Sequence, residues 1–350
     1  GYSSVVASKI AEPQAASTSK VYNSKWEHWL NWCTSRKVKP TSPTMPQVGH
    51  FLHYLFTNCK LECSTIEGYR SSLASAFKHK SKLQVSTDPE LAALLQRFRR
   101  DRPPLSHVLP GWDVSLVCWR LTEAPFEPLH KANLVFLTWK LAFLLLLASG
   151  SRRGEIHAIK RAGVYMASTG HYVTLSPSPQ FVSKTRLRNR ESVKPIRIPS
   201  LKQVAGSDLP RERSLCPVRC LKEYLKRTKG RAGKRKLLFL STQANRKTDI
   251  KKPTLSSWVK NLIMYCYRNP TDRVAELTGF RTHDIRGIGT TLVYKGTPNM
   301  EDLLTAGTWK SDNTFLSHYL KDLSEVSAAN LIRIGPIVAA RKVVVHSTVD

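Results

Sequence analysis

Apolar residues recur at three- and four-residue steps through most of this chain, and at two-residue steps in one central region. From Ser19 onward, Tyr22, Trp26, Trp29, Leu30 and Cys33 share one helical face. A Pro-rich turn (KPTSPTMP) separates this helix from a second apolar-periodic stretch around Val48, Phe51, Leu52, Leu55 and Phe56. Ser64-Thr65 is a candidate cap for a third helix, with Ile66, Tyr69, Leu73, Ala76 and Phe77 on one side. Pro89 opens a fourth, which carries Leu91, Leu94, Leu95 and Phe98 and ends among Arg97, Arg99, Arg100 and Arg102. The pattern predicts a small helical bundle with basic edges over residues 19–103, preceded by a flexible polar segment, 1–18.

Pro103-Pro104 and Pro110-Gly111 then break the chain, which places a linker at 104–112. Helical spacing resumes near Asp113 and from Leu129 to Ala148. Alternation typical of strands follows at Gly163 to Leu175, Gln180 to Lys184 and Lys194 to Ile198, with a strongly basic tip, TRLRNRES, between the last two. Later stretches are again helical: Val218 to Arg227, Leu255 to Tyr267, His283 to Tyr294, Met300 to Ala306 and Asn313 to Leu320. The expected fold is mainly α with a small β-sheet, an α+β chain, with a second domain at 113–335 and a tail at 336–350. The richest apolar run, Leu141 to Ala148, falls short of the roughly 20 residues that a membrane-spanning helix needs. Its flanks predict a buried core helix that ends at Gly150.

Composition narrows the partner. The 350 residues are 41% hydrophobic, a globular balance with room for more than one core. A net charge of +30 creates a field that attracts polyanions, and nucleic acid is the natural one. A membrane partner is disfavoured, because no basic amphipathic helix shows a large exposed apolar face. Seven cysteines, an odd number in a long Lys-rich chain, predict free buried thiols in a reducing compartment rather than a disulfide framework or a zinc site. The start, GYSSVVASKIAEPQ, has no signal-peptide pattern, and without an initiator Met it reads as a fragment of something longer.

Several residues could together form one chemical site. In ASGSRRGEIHAI, Arg152 follows a glycine break, and Glu155 lies three residues on, where its carboxylate can orient the guanidinium. Arg153 is the alternative, and its greater distance from Gly150 argues for Arg152. HDIR puts His283 and Arg286 on one helical face, able to address one phosphate. Lys184 lies at the edge of the predicted hairpin, with Lys194 as a rival; Trp309 and Tyr319 follow in order. A phenol is a weak nucleophile at neutral pH. It becomes effective on a phosphodiester when cationic donors neutralise the non-bridging oxygens and an acid protonates the leaving sugar oxygen. Arg suits the first task because its planar fork pairs with two oxygens. Tyr294 competes with Tyr319 but lies in an apolar-periodic run with Ile288 and Leu292.

The order Arg…Lys…His-x-x-Arg…(His or Trp)…Tyr resembles the tyrosine recombinase/integrase superfamily. ASGSRRGEI is similar to its first arginine motif, THDIRGIGTTLVYKG to its second, and AGTWKSDNTFLSHYL to its nucleophile segment. KWEHWLNWC, LCPVRCLKEYLKRT, Trp309 in place of the commoner His, and GPIVAARK are similar to recombinases of DIRS-type retrotransposons and related animal elements. One departure is Gly287, where many relatives carry a His or a Lys.

The resemblance implies a helical core-binding (SAM-like) bundle and a tyrosine-recombinase catalytic domain closing around double-stranded DNA. It also implies synapsis as a tetramer on two DNA sites and, for a eukaryotic chain, a place in the nucleus. Tyr319 would attack the scissile phosphate to give a 3′-phosphotyrosyl link. Arg152 and Arg286 would clamp the phosphate, Lys184 would act as general acid, His283 would assist proton transfer, and Trp309 would donate its indole N–H. The covalent link conserves the bond energy, so neither ATP, metal nor any other cofactor is required. Expected DNA contacts are Arg70, Lys78, Arg99 and Arg100 on the bundle and Arg186, Arg188 and Arg190 on the basic tip. The alternative is a DNA-binding remnant or host-adopted protein that keeps the fold without strand exchange.

Overall fold

The computed structural model describes residues 16–77, 83–103, 112–181, 195–201, 213–243, 245–246, 248–268, 284–296, 300 and 316. The chain divides into two compact units, Gly1–Ser106 and His107–Asp350. Residues 104–111, most of the expected linker, lie outside the described residues, as do most of 1–18 and the whole tail.

The first unit contains α1 (Ala16–Arg36), α2 (Met45–Thr57), α3 (Cys63–Phe77) and α4 (Pro89–Asp101). Their apolar faces meet in one core built around Trp29, Trp32, Phe51, Leu55, Ile66 and Phe77. The Trp29 ring stacks on Trp32 and meets Phe51 edge-on, with centroids 5.4 and 5.0 Å apart. Local sequence sets two of the helix starts. Thr44 and Gln47 form a reciprocal capping box before α2. The Asp88 carboxylate accepts the Leu91 N–H at 2.8 Å before α4. The expected Ser64-Thr65 cap is different: α3 begins at Cys63, and the Glu62 carbonyl accepts from the N–H groups of Thr65 and Ile66 at 2.9 and 3.1 Å. Ser64 and Thr65 thus lie inside the first turn rather than at the cap position.

The second unit is built around one buried helix, as its apolar run predicts. It comprises α5 (Val114–Arg120), α6 (Leu134–Ser149), α7 (Arg153–His157), β1 (Ile159–Met166), β2 (Tyr172–Pro177), β3 (Ile196–Pro199), α8 (Pro217–Thr228), α9 (Lys252–Cys266) and α10 (Asp284–Gly296). From Leu141 to Leu145 every residue of α6 is fully buried, and α8, α9 and α10 all pack on it. The helix starts five residues later than its periodicity suggests, because the Asn133 side chain accepts the Val135 N–H at 3.0 Å and caps it there. Among the described residues, no helix is long and apolar enough to cross a membrane.

The sheet is antiparallel in the order β1-β2-β3. Val164 pairs with Leu175 and Leu175 with Ile196; Met166 pairs with Val173 and Val173 with Ile198. Those residues face the core. The strand expected at Gln180 to Lys184 is not seen where it can be followed: Pro179 and Gln180 form a turn closed by the Phe181 N–H on the Ser178 carbonyl, 2.8 Å. Pro179, just before the expected strand, has no N–H to donate to a ladder and sits in the turn instead. All seven cysteines are free, and all but Cys59 are buried. The architecture is mainly helical with a small sheet, as the hydrophobic pattern predicts.

Candidate active site

The turn after α6 fixes the first arginine. Gly150 adopts the left-handed conformation, φ 56° and ψ 16°, which a side chain rarely tolerates, and its N–H caps the Leu146 carbonyl at 3.2 Å. The Ser149 hydroxyl then accepts the Ser151 N–H at 3.1 Å, and the chain leaves the helix in extended form at Arg152. Glu155 holds Arg152 twice. Its carboxylate accepts the Arg152 backbone N–H at 2.7 Å and the guanidinium at 3.2 Å. A half-buried guanidinium is thereby oriented by a carboxylate that is itself fixed in the first turn of α7. The neighbouring Arg153 is exposed and donates to the Ser256 hydroxyl on α9. The two adjacent arginines therefore have different tasks, and Arg153 serves to tie α7 to α9.

Arg286 lies in the first turn of α10 and is 3% exposed. Thr290, one turn later on the same face, donates its hydroxyl to the Arg286 carbonyl at 2.7 Å. The contact between α10 and α6 is close enough to exclude side-chain atoms. A Cβ on Gly150 would meet the Thr290 methyl at 3.0 Å, and one on Gly289 would lie 2.7 Å from the Leu147 carbonyl oxygen. These contacts bring the helix face that carries Arg286 against the turn that carries Arg152. A direct prediction follows: Gly289→Ala pushes a methyl into backbone and should lower stability by about 1–3 kcal/mol, read by urea unfolding. Unchanged stability would mean that α10 does not pack this tightly on α6.

Lys252, which the sequence reading passed over, adds charge beside the same turn. A Cβ on Gly154 would sit 4.0 Å from its ammonium, and the ammonium lies 5.7 Å from the Phe181 ring centroid. The one sequence signal was the pair Lys251-Lys252 at a helix start, where the macrodipole disfavours cations. Tyr294, the rival nucleophile, packs half-buried against the core.

Lys184, His283, Trp309 and Tyr319 lie outside the described residues, as do Lys78, Arg186, Arg188 and Arg190. On the bundle, Arg70 is committed internally. Its guanidinium donates to the carbonyls of Val85 and Ser86, each at 2.9 Å, and so braces the turn before α4. Arg99 pairs with Glu67. Arg99 and Arg100 are both exposed, and of the two Arg100 has no hydrogen bond or ion pair to another side chain among the described residues.

No protein-family model matches the chain, and no curated protein matches it. Solved structures do. A lambda integrase (75-356) dimer bound to a COC′ core site is 18% identical with a TM-score of 0.50, covering 90% of this chain and 92% of that one. A lambda integrase tetramer bound to a Holliday junction is 17% identical with a TM-score of 0.50, covering 89% and 74%. XerA recombinase is 15% identical with a TM-score of 0.41, covering 99% and 96%. At such identities the likeness is one of fold alone, shared with lambda integrase.

Proposed function

We propose that the chain is a site-specific DNA recombinase or integrase that cuts and rejoins duplex DNA through a 3′-phosphotyrosyl intermediate, in the service of a mobile element. The observation that carries the reading is the close seating of the Arg286 helix on the Gly150–Arg152 turn, with Glu155 orienting Arg152. Two guanidiniums so held can cover the non-bridging oxygens of one phosphate. The Tyr319 oxygen then attacks phosphorus as its proton leaves with assistance from His283. The bond from phosphorus to the 5′ oxygen breaks, and Lys184 supplies the proton that makes a free 5′-hydroxyl. Trp309 donates its indole N–H to the phosphate and packs the site. Attack by the 5′-hydroxyl of a second strand reverses these steps and restores the Tyr319 phenol.

The net charge of +30 supports duplex DNA as the partner, with affinity that falls steeply as salt rises. The solved relatives bound to a core site and to a Holliday junction support assembly as a tetramer on two sites. The sequence features shared with DIRS-type elements support a eukaryotic mobile element and action in the nucleus.

The test is a nicked suicide duplex built from repeats in the DNA that flanks the coding region. Wild-type protein should become covalently attached to the 3′ phosphate of the scissile position beside the nick, as the short 5′-hydroxyl fragment between them diffuses away, giving a band that survives denaturing electrophoresis and disappears with protease. Tyr319→Phe should give none. Absence of an adduct from wild-type protein on every flanking repeat, despite tight binding, would favour the remnant reading; an adduct that persists in Tyr319→Phe would assign the nucleophile elsewhere.

A further inference from the structure

The three-stranded sheet has a second face, turned away from the core. Strand alternation turns Val164, Met166, Val173, Leu175, Ile196 and Ile198 inward. The intervening positions turn the other way: Tyr165 pairs with Thr174, Thr174 with Arg197, and Tyr172 lies diagonally between Tyr165 and Arg197. Tyr165 is 59% exposed, an unusual place for a large ring on a folded strand. Its ring lies 6.4 Å from that of Tyr172, and the Arg197 guanidinium carbon sits 3.8 Å over the Tyr172 ring. The Nε of Arg197 is buried with no hydrogen-bond partner among the described residues, and the guanidinium stacks on Tyr172. One row of three flat groups thus runs across all three strands.

We propose that this face binds single-stranded nucleic acid, with bases stacking on Tyr165 and on the Tyr172–Arg197 pair. Charge complementarity selects a polyanion. No Asp or Glu occurs between Glu155 and Glu191, or anywhere in β3, so the sheet carries positive charge with no acidic residue of its own. The outward positions are Gly, Tyr, Thr, Ser, Arg and one Pro rather than Leu, Ile or Met, which argues against a broad apolar protein contact. Unpaired bases fit better than a duplex because their π faces are free, whereas those of paired bases are already stacked. The proposal stands without the cleavage reading, since it is tested by binding alone.

The experiment titrates the full chain against a fluorescein-labelled oligo(dT) 20-mer and, separately, a 20-base-pair duplex, following anisotropy. Tyr165→Thr removes the ring, keeps a good strand former and changes no charge; Tyr165→Phe keeps the ring. Tyr165→Thr should bind oligo(dT) about tenfold more weakly than wild type, with duplex affinity within a factor of two. Tyr165→Phe should match wild type on both. Undiminished oligo(dT) binding by Tyr165→Thr overturns the proposal, and so does an equal loss on both DNAs, which would report general damage or a field effect. A Tyr165→Thr variant that binds both DNAs normally but sediments with altered self-association would make the face a protein contact, also overturning it. If suicide-duplex cleavage fails while ring-dependent oligo(dT) binding persists, the functional reading falls and this one remains.

Discussion

On the proposed recombinase reading, Arg286→Ala should slow transfer of DNA onto Tyr319 roughly a hundred- to a thousandfold, with little loss of duplex affinity. The side chain is 3% exposed and rooted in a helix whose next turn is pressed against Gly150, so it lacks the freedom of a surface arginine. A preorganised cation matters most as charge gathers on the phosphate in the transition state. Ground-state binding is spread over many other phosphate contacts and should change little. Arg286→Lys should restore only a small part of the rate, because an ammonium cannot present two donors to two oxygens. The measurement is single-turnover adduct formation on the suicide duplex, with melting temperature and duplex titration as controls. An Arg286→Ala protein that melts normally and forms adduct at the wild-type rate would remove Arg286 from the chemistry.

The second large effect is on stability. Glu127 stands at the centre of a charged group beneath α6. It accepts the Lys140 ammonium at 2.6 Å and both terminal nitrogens of Arg219 at 2.8 and 2.9 Å. Lys140 is fully buried and also donates to the Leu121 carbonyl at 2.7 Å. Glu127→Ala would leave that ammonium buried with a single neutral acceptor. The expected cost is about 3–5 kcal/mol, the range for breaking a buried pair from one side. Lys140→Met should cost less, because Glu127 keeps its two bonds to a partly exposed Arg219.

The pH dependence has a defined sign. Burial pushes the Glu127 carboxyl upward, but the hydrogen bonds and charges of Arg219 and Lys140 outweigh it and hold the group below the ordinary carboxylate range. A lowered folded pKa gives stability that is complete above the unfolded value, about 4.3, and is lost as pH falls through the folded one. The gap between wild type and Glu127→Ala in urea unfolding should therefore be full at neutral pH and narrow in acid. A gap that widens in acid would contradict the ion-pair account.

Much of this was present in local sequence. The buried character of α6 and its end at Gly150 followed from an apolar run closed by a glycine. The four helices of the first unit followed from single-face periodicity, because burial of one face is what the spacing records. The Arg152–Glu155 contact was readable from its three-residue separation. Other features were not. The sheet begins at Ile159 rather than Gly163, since pairing with Pro177 across an irregularity in register recruits residues with no alternating pattern of their own. Glu127, Lys140 and Arg219 look like solvated charges in the sequence, and only long-range packing shows them buried together.

By itself, then, the sequence determined which residue types the site has available, where the principal helices run, and that the chain's field attracts polyanions. These depend on composition and on contacts within a turn or two. Only the tertiary structure decided that the turn bearing Arg152 and the helix bearing Arg286 meet, that Arg153 and Arg70 are occupied elsewhere, and that an aromatic row crosses the open face of the sheet. Each depends on residues far apart in the chain being brought to contact, and a backbone approach such as Gly289 on Leu147 leaves no periodic trace in the sequence from which it could be read.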